Sequence, residues 1–250
     1  MKYLVSLHTN KSPDNIGNKA LNLHRLWRKK FNIPRTYICT WNAFLDFQSL
    51  GSVAVDALSK ELEQIIKPER SYAVRSSANF EDNNQRSFAG QFTSLLNVRG
   101  VDHVSQAVQS IWEATESEGV QVYLKQSMQP KDRLLMAVII QEMIEPVISG
   151  VSFSRNPITG AEEIIVEAVR GEGSQLMQTG ITPMRWVSRW DIMLDKPDGE
   201  SQLNRLIEQI VKETNQIAIL LRRDIDLEWV YDGHSLYWVQ LRDITSLQEG

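Results

Sequence analysis

Apolar residues along this 250-residue chain recur at two different spacings. Segments in which they return every three or four residues predict amphipathic helices, and short runs rich in β-branched and aromatic residues predict strands. Helices are expected at 20–31, 41–47, 52–66, 104–115 and 203–221. After a short opening strand, further strands are expected at 36–39, 72–75, 95–98, 134–140, 151–154, 164–169, 225–231 and 235–242. Because helices and strands are interleaved, the sequence predicts an α+β fold.

The segment 134–140 is an unbroken apolar run that ends at Gln141, Glu142 and Met143. Such a run is typical of a strand that is buried on both faces. No internal repeat or Gly/Ser-rich linker separates independent domains. We therefore expect two closely associated subdomains that meet near residue 138, one comprising 1–137 and the other 138–250.

Composition narrows the classes of partner. The chain has 27 Lys and Arg against 31 Asp and Glu, a net charge of -4, so it lacks the excess positive charge that holds a nucleic-acid backbone. The single cysteine, Cys39, cannot form an internal disulfide, and no apolar run approaches the roughly 20 residues of a membrane helix. We expect a cytoplasmic protein with no nucleic-acid or membrane partner. A nucleotide remains possible, because it needs only a local cluster of basic groups and backbone amides.

The C-terminal segments 225–231 and 235–242 alternate apolar and polar residues around Asp232-Gly233-His234 and predict a β-hairpin. If Tyr231 pairs with Ser235, one face is apolar. On that face the register pairs Leu227 with Val239, Ile225 with Leu241 and Trp229 with Tyr237. On the other face it places Asp226 opposite Gln240, with Glu228 and Arg242 as neighbours.

Two carboxylates, an amide oxygen and a guanidinium are thus expected to converge on this polar face. Carboxylate and amide oxygens are suitable ligands for Mg²⁺. Arg242 would offer a planar fork to a phosphate oxygen that the metal also holds. The alternative is a surface hairpin whose charges pair with each other in water, which is common, and the pattern alone leaves both interpretations open.

Four motifs in order along the chain resemble those of phosphoenolpyruvate synthases and pyruvate phosphate dikinases. They are Gly17-Asn-Lys-Ala-x-Asn-Leu23; Val74-Arg-Ser-Ser-Ala78 continuing to Ser87-Phe-Ala-Gly-Gln91; Gln141-x-Met143 with Ser149-Gly-Val-x-Phe153 and Asn156-Pro-x-Thr-Gly160; and Asp226-x-Glu-Trp with Gln240-x-Arg242. The resemblance spans nearly the whole chain. It implies an ATP-grasp fold, in which two α+β subdomains hold ATP and Mg²⁺ between them.

The resemblance also implies a phosphate site in the first half of the chain. Lys19 near a helix start, Arg75 at a strand end and the backbone of Ala89, Gly90 and Gln91 would hold triphosphate oxygens. Ser94 matches a hydroxyl residue that contacts the nucleotide in relatives. Seen alone, Arg75 would more often form a surface ion pair with Glu81 or Asp82, and Gly90 an ordinary turn.

The remaining implied site residues lie in the second half of the chain. Gln141, Glu142 and Met143 would meet the adenine edge, with Met143 packed on the ring; the alternative is a strand end with a core methionine. Asp226, Glu228 and Gln240 would hold the metal. Arg242 would join Arg75 and Lys19 as a catalytic cation that neutralises charge during phosphoryl transfer.

Relatives of this kind donate a phosphoryl group from ATP to a histidine on a swivelling carrier domain. None of the four histidines here lies in a Thr-Ser-His carrier context; they are His8, His24, His103 and His234. A partner polypeptide or a missing downstream domain is therefore expected to supply the carrier. Asp243 replaces a proline that usually follows the arginine, and an acid there is expected to weaken the pull of Arg242 on phosphate. A regulatory nucleotide-binding module and an ATP-dependent ligase are the alternative functions.

Overall fold

The computed structural model describes residues 2–11, 13–79, 94–119, 133–171, 182–190 and 192–244. The chain divides into two compact units. The first comprises Met1–Arg28 and Pro34–Met143, and the second comprises Lys29–Ile33 and Ile144–Gly250. Each unit has its own β-sheet, which confirms the predicted α+β class.

The first unit contains a five-stranded antiparallel sheet with four described helices. Its strands are β1 Leu4–Ser6, β2 Thr36–Cys39, β3 Tyr72–Ala78, β4 Ser94–Val98 and β5 Met136–Glu142. Its helices are α1 Gly17–Arg28, α2 Trp41–Leu50, α3 Ser52–Leu62 and α4 Val101–Ala114. The strand order is β1-β2-β5-β3-β4. The central strand β5 is buried in every residue except Glu142, as the unbroken apolar run predicted.

The two faces of this sheet have different partners. One face packs against α2, α3 and α4 in an apolar core that includes Tyr72, Val74, Phe44, Leu58, Trp112 and Val138. Since side chains alternate along a strand, Arg75 and Ser77 of β3 lie on the other face. Helix α1 contacts β3 and β5, and Ser77 forms part of its contact with β3. Arg75 and Ser77 are thus kept out of the main core, whereas the buried Ser76 shares the face of Val74 and Ala78.

The second unit contains a six-stranded antiparallel sheet and one long described helix. Its strands are β6 Ile148–Phe153, β7 Ile164–Arg170, β8 Met184–Arg189, β9 Ile192–Asp195, β10 Ile225–Tyr231 and β11 Leu236–Asp243. The strand order is β11-β10-β6-β7-β8-β9. A 3-10 turn, Ser201–Leu203, leads into α5 Asn204–Leu221, which packs on β6, β7 and β10. One sheet face is therefore covered by α5.

Two features of the fold differ from the sequence expectation. The division between units falls between Met143 and Ile144, whereas the sequence predicted it between 137 and 138. The earlier position lies inside β5, where Ala137 pairs with Ser77 and Val138 with Ser76. The strands β8 and β9 were missed. β9 is an edge strand whose Ile192 and Leu194 are exposed, so its sequence does not show the alternation of a half-buried strand.

Helix α1 is fixed to β3 at a contact that only glycine permits. Gly17 has a φ of 73°, and a Cβ built on it would lie 2.0 Å from the carbonyl oxygen of Ser77. The Ser77 hydroxyl donates to the Ile16 carbonyl oxygen at 2.8 Å and accepts from the Ala20 N–H at 3.1 Å. Ser77 therefore satisfies a backbone donor in the first turn of the helix that carries Lys19.

We predict that Gly17→Ala destabilises the protein more than Gly51→Ala. Both positions have positive φ, which costs a non-glycine residue about 1–3 kcal/mol. Gly51 has nothing within 4 Å of its added Cβ, whereas at Gly17 the clash with Ser77 should add about 1–3 kcal/mol. Chemical denaturation of both variants gives the two free energies of unfolding. Equal losses would contradict a tight contact between α1 and β3.

Candidate functional site

Arg75 lies in the middle of β3 rather than at a strand end. The strand continues to Ala78 because Ser76, Ser77 and Ala78 pair with Val138, Ala137 and Met136, so the predicted strand end at Arg75 is wrong. Arg75 is half-buried and directly opposite Ser94 of β4. The structure thus brings together two of the residues that the resemblance assigned to nucleotide binding.

Lys19 lies on helix α1, which packs on the sheet face that carries Arg75 and Ser77. It is the third residue of α1, and its helical neighbours Gly17 and Ala20 touch Ser77, two residues along β3 from Arg75. The first turn of α1 contains no acidic residue, so the positive end of the helix dipole is not offset by the helix itself. Ala89, Gly90 and Gln91 lie outside the described residues.

The strand end Gln141–Met143 is held by hydrogen bonds within the first unit. Gln141 is buried, and its amide nitrogen donates to the Thr36 hydroxyl at 3.1 Å. The N–H of Glu142 donates to the carbonyl oxygen of Arg35 at 2.8 Å, and the N–H of Met143 donates to the carbonyl oxygen of Ser71 at 2.9 Å. A base at this strand end would have to use other groups, since these three donors are already paired.

Glu142 and Met143 point to different surroundings. Glu142 pairs with Tyr72 across the sheet, and its Oε1 is buried with no hydrogen-bond partner among the residues that the structure describes. The Sδ of Met143 accepts a hydrogen bond from the Asn97 N–H at 3.0 Å. Met143 is therefore in contact with β4, the strand that also carries Ser94.

The C-terminal hairpin forms as expected, but its predicted register is wrong. Tyr231 pairs with Leu236 rather than with Ser235, because the connection contains four residues. The Asp232 Oδ1 accepts hydrogen bonds from the N–H groups of His234 at 2.8 Å and Ser235 at 2.7 Å. Burial alone would raise the pKa of Asp232, but these backbone donors outweigh burial and lower its pKa. The turn sequence thus selects the longer loop.

A β-bulge in β11 then changes which residues share a face. Trp229 pairs with Trp238, and the next pair is Glu228 with Gln240, so Val239 is the extra residue. The apolar face contains fully buried residues of both strands, namely Ile225, Leu227, Trp229, Trp238 and Leu241. The expected pairings of Leu227 with Val239, Ile225 with Leu241 and Trp229 with Tyr237 are therefore wrong.

The bulge brings the four predicted polar residues together more closely than the expected register did. Glu228 lies opposite Gln240, and Asp226 lies opposite Arg242. The Arg242 guanidinium is 3.0 Å from Asp226 Oδ2 and 3.3 Å from Glu228 Oε1. We call Asp226, Glu228, Gln240 and Arg242 the hairpin cluster. Its carboxylates are only 16% and 22% exposed, so they are less screened than ordinary surface charges.

The hairpin cluster suits a hard cation by its chemistry. The atoms that could coordinate a metal are oxygens of two carboxylates and one amide, and oxygen is the ligand type that Mg²⁺ prefers. No group of three or more His, Cys, Asp or Glu in the described ranges could hold a metal ion, so any cation here would depend on the Gln240 oxygen, water or a ligand. A divalent cation would also compete with Arg242 for the carboxylates.

Asp243 is not directed at Arg242. It pairs with Ile225 on the opposite sheet face, and its carboxylate lies 2.7 Å from the Arg223 guanidinium. The expectation that Asp243 weakens the charge of Arg242 took no account of Arg223. Sequence reasoning missed both Arg223 and Ser77. For Ser77 a signal existed, since it is a small polar residue two positions after Arg75 in a segment that is otherwise strand-like.

Comparison with known proteins decides the family. A family model described as "Pyruvate phosphate dikinase, AMP/ATP-binding domain" matches residues 52–194, which is more than half of the chain. The chain belongs to this family. The mixed α+β architecture of this AMP/ATP-binding domain, with two sheets, agrees with the fold class that the sequence predicted.

Longer proteins contain similar sequences. A probable phosphoenolpyruvate synthase of Archaeoglobus fulgidus is 26% identical over 94% of this AMP/ATP-binding domain and 40% of its own length. Rifampicin phosphotransferase of Bacillus subtilis is 28% identical over 79% of the domain and 26% of its own length. The chain thus spans less than half the length of these relatives.

A solved structure shares the fold. The crystal structure of PH1788 from Pyrococcus horikoshii matches with a TM-score of 0.53 at 12% identity, over 90% of this chain and 89% of that one. At this identity the likeness concerns the fold alone. Among the helices in the described part of the domain, none is both long and apolar enough to cross a membrane.

We predict that Glu228→Gln raises the concentration of Mg²⁺ that is needed to support ATP binding. The amide keeps the size and one oxygen but removes the charge that a hard cation demands, so the Mg²⁺ concentration at half-effect should rise about tenfold, a change of about 1.4 kcal/mol. Without metal, ATP should bind the variant at least as well, because one carboxylate beside Arg242 has lost its charge. Calorimetric titration of ATP at several Mg²⁺ concentrations measures both effects.

Glu200→Gln is the matched control. Glu200 is 21% exposed and also pairs with an arginine, Arg170, at 2.7 Å, but it lies outside the hairpin cluster. The control should behave like the wild-type domain. Superimposable Mg²⁺ curves for Glu228→Gln and wild type would remove Glu228 from the metal site.

Proposed function

We propose that this domain binds Mg-ATP and donates a phosphoryl group to a histidine on a separate swivelling carrier domain. The observation that carries the proposal is the hairpin cluster, in which a bulge aligns two carboxylates, an amide and a guanidinium. Membership in an AMP/ATP-binding family supports the nucleotide. Relatives that are named as a phosphotransferase and a phosphoenolpyruvate synthase support the transfer.

In this proposal the first unit supplies positive charge for the triphosphate. Arg75 is half-buried, where a guanidinium interacts more strongly with phosphate than at an exposed site. Lys19 lies in the first turn of α1, where its charge adds to the helix dipole. Ser94, opposite Arg75 on β4, would add a hydroxyl, and Ala89, Gly90 and Gln91, which precede it in sequence, would add backbone amides.

The second unit would supply the metal ligands and one more cation. Asp226, Glu228 and Gln240 would hold Mg²⁺ through oxygen atoms. When bound, Mg²⁺ would neutralise charge on the phosphates. It would also relieve Arg242 of its two carboxylate partners, so that the guanidinium could donate both arms of its fork to a phosphate oxygen. Arg242 is thus the proposed link between metal and triphosphate.

The adenine end of the nucleotide is assigned to Gln141, Glu142 and Met143. Glu142 Oε1 is a buried acceptor without a partner among the described residues, and the amino group of adenine is a donor. Met143 lies against β4 and would pack on the ring through its polarizable sulfur. Gln141 would act indirectly, because its side chain is fixed to Thr36 and holds the strand end in place.

The chemistry that remains for the protein is mainly positioning. In phosphoryl transfer an attacking imidazole nitrogen forms a bond to phosphorus as the bond to the leaving phosphate oxygen breaks. Lys19, Arg75 and Arg242 would hold the oxygens in line and offset the charge that builds on the leaving group. Because none of the four histidines lies in a carrier motif, the acceptor histidine is assigned to a partner or a downstream domain.

We predict histidine-dependent labelling of a carrier domain. ATP labelled at the β or γ phosphate would be incubated with this domain, Mg²⁺ and carrier domains that contain a Thr-Ser-His motif. The label should appear on a carrier, survive base and be lost in acid, as expected for a phosphohistidine. The position of the label in ATP identifies which phosphoryl group moves.

The control is the same carrier with its motif histidine replaced by alanine, which should remain unlabelled. If the domain binds Mg-ATP but labels none of the carriers, the regulatory-module interpretation would replace the proposed transfer. Labelling that persists in the alanine variant would show that the carrier histidine is not the acceptor.

A further inference from the structure

A second ion pair lies at the open end of the hairpin, next to the hairpin cluster in sequence but on the other sheet face. Asp243 ends β11 and follows Arg242 directly. It lies opposite Ile225, which is fully buried, and its side chain is 17% exposed. The Arg223 guanidinium lies 2.7 Å from the Asp243 carboxylate.

The position of Arg223 is fixed by helix α5. The helix ends at Leu221, and Arg222 follows in the left-handed conformation. The N–H of Arg223 then donates to Ala218 at 3.3 Å. The ion pair therefore joins the end of α5 to the end of β11. At the same end of the hairpin, the Ile244 N–H donates to the backbone carbonyl oxygen of Asp224 at 3.2 Å.

A carboxylate as buried as Asp243 is costly unless a cation accompanies it. If Arg223 lost its charge, the adjacent residue Arg242 would be a nearby cation that could move to compensate. Arg242 could reach Asp243 only by leaving Asp226 and Glu228, since neighbouring side chains on a strand point to opposite faces. Such a move would take the guanidinium out of the hairpin cluster.

We propose that Arg223 is a positioning residue for Arg242. It neutralises Asp243 and so keeps the Arg242 guanidinium on the face of Asp226 and Glu228, where it meets triphosphate. The inference rests on the proposed function, because it assigns Arg242 to phosphate. It explains how this chain accommodates an acid beside that arginine: the acid has its own cation on the other face.

The test is a double-mutant cycle on Arg223 and Asp243. Arg223→Met should weaken Mg-ATP about tenfold, within the range of effects for coupled neighbours, and should leave adenosine binding unchanged, because adenosine has no phosphate. Asp243→Asn should bind Mg-ATP like wild type. The double variant Arg223→Met/Asp243→Asn should recover binding to within about twofold, since no buried charge then competes for Arg242.

Arg155→Met provides the control for loss of an ion pair at this end of the hairpin. Arg155 lies 2.8 Å from Asp224, which is next to the hairpin but not next to Arg242. This variant should retain the wild-type ratio of Mg-ATP to adenosine affinity. Thermal unfolding of every variant would establish that it is folded at the assay temperature. If Arg223→Met alone does not fold, two other variants carry the test. Arg223→Lys, which keeps the charge, should bind Mg-ATP like wild type, and the double variant should bind Mg-ATP to within about twofold of wild type.

Each outcome has a separate meaning. A folded Arg223→Met that binds Mg-ATP like wild type would overturn the inference, as would a double variant or an Arg223→Lys variant that binds Mg-ATP poorly. Equal losses for Mg-ATP and adenosine would also overturn it, because they would indicate a general structural role. If the wild-type domain itself does not bind Mg-ATP, the proposed function is wrong, whatever the variants show.

Discussion

The β-bulge at Val239 is the feature on which the account of the site depends. Without the extra residue, Gln240 and Arg242 would continue the alternation of Leu236 and Trp238 and face the buried side of the sheet. With it, Leu241 joins the apolar face, and Gln240 and Arg242 join Asp226 and Glu228. The two fully buried tryptophans, Trp229 and Trp238, form the last pair before the bulge, and Gly150 leaves room for the Trp229 ring because a Cβ there would lie 2.8 Å from it. Core packing therefore helps to fix the bulge, and the bulge directs the polar groups.

Charge balance is the second constraint at the hairpin. Two poorly exposed carboxylates share one guanidinium, an arrangement that is stable only while the cation remains with them. A divalent cation would change this balance, since it can replace Arg242 as the partner of both acids. The third acid, Asp243, would disturb the same balance if it lacked a partner of its own. Arg223 supplies that partner from the end of α5, so the helix end and the hairpin are joined by an ion pair as well as by packing.

Sequence patterns predicted those elements whose burial is either uniform or regularly periodic. The run that forms β5 was recognised because it is continuously apolar, as its burial on both faces requires. Helix α5 was recognised from its amphipathic spacing. The hairpin register was not predictable from alternation alone, because a bulge changes the parity of β11 without leaving a marked residue type at Val239. Arg75 was placed at a strand end because Ser76 and Ser77 are polar, yet both are buried; Ser77 is polar because it caps α1. The ion pair of Arg223 with Asp243 joins a helix end to a strand, a long-range contact that single-sequence spacing does not reveal.

The central claim is that triphosphate and metal bind together to this domain, and thermal unfolding with ligands tests it most directly. The melting temperature would be measured with ATP alone, Mg²⁺ alone and Mg-ATP. At about 100 times the dissociation constant, Mg-ATP should add about 2.7 kcal/mol to the free energy of unfolding, and the rise with Mg-ATP should exceed the sum of the rises with either component. A melting temperature that is unchanged at millimolar Mg-ATP in a well-folded protein would contradict the claim.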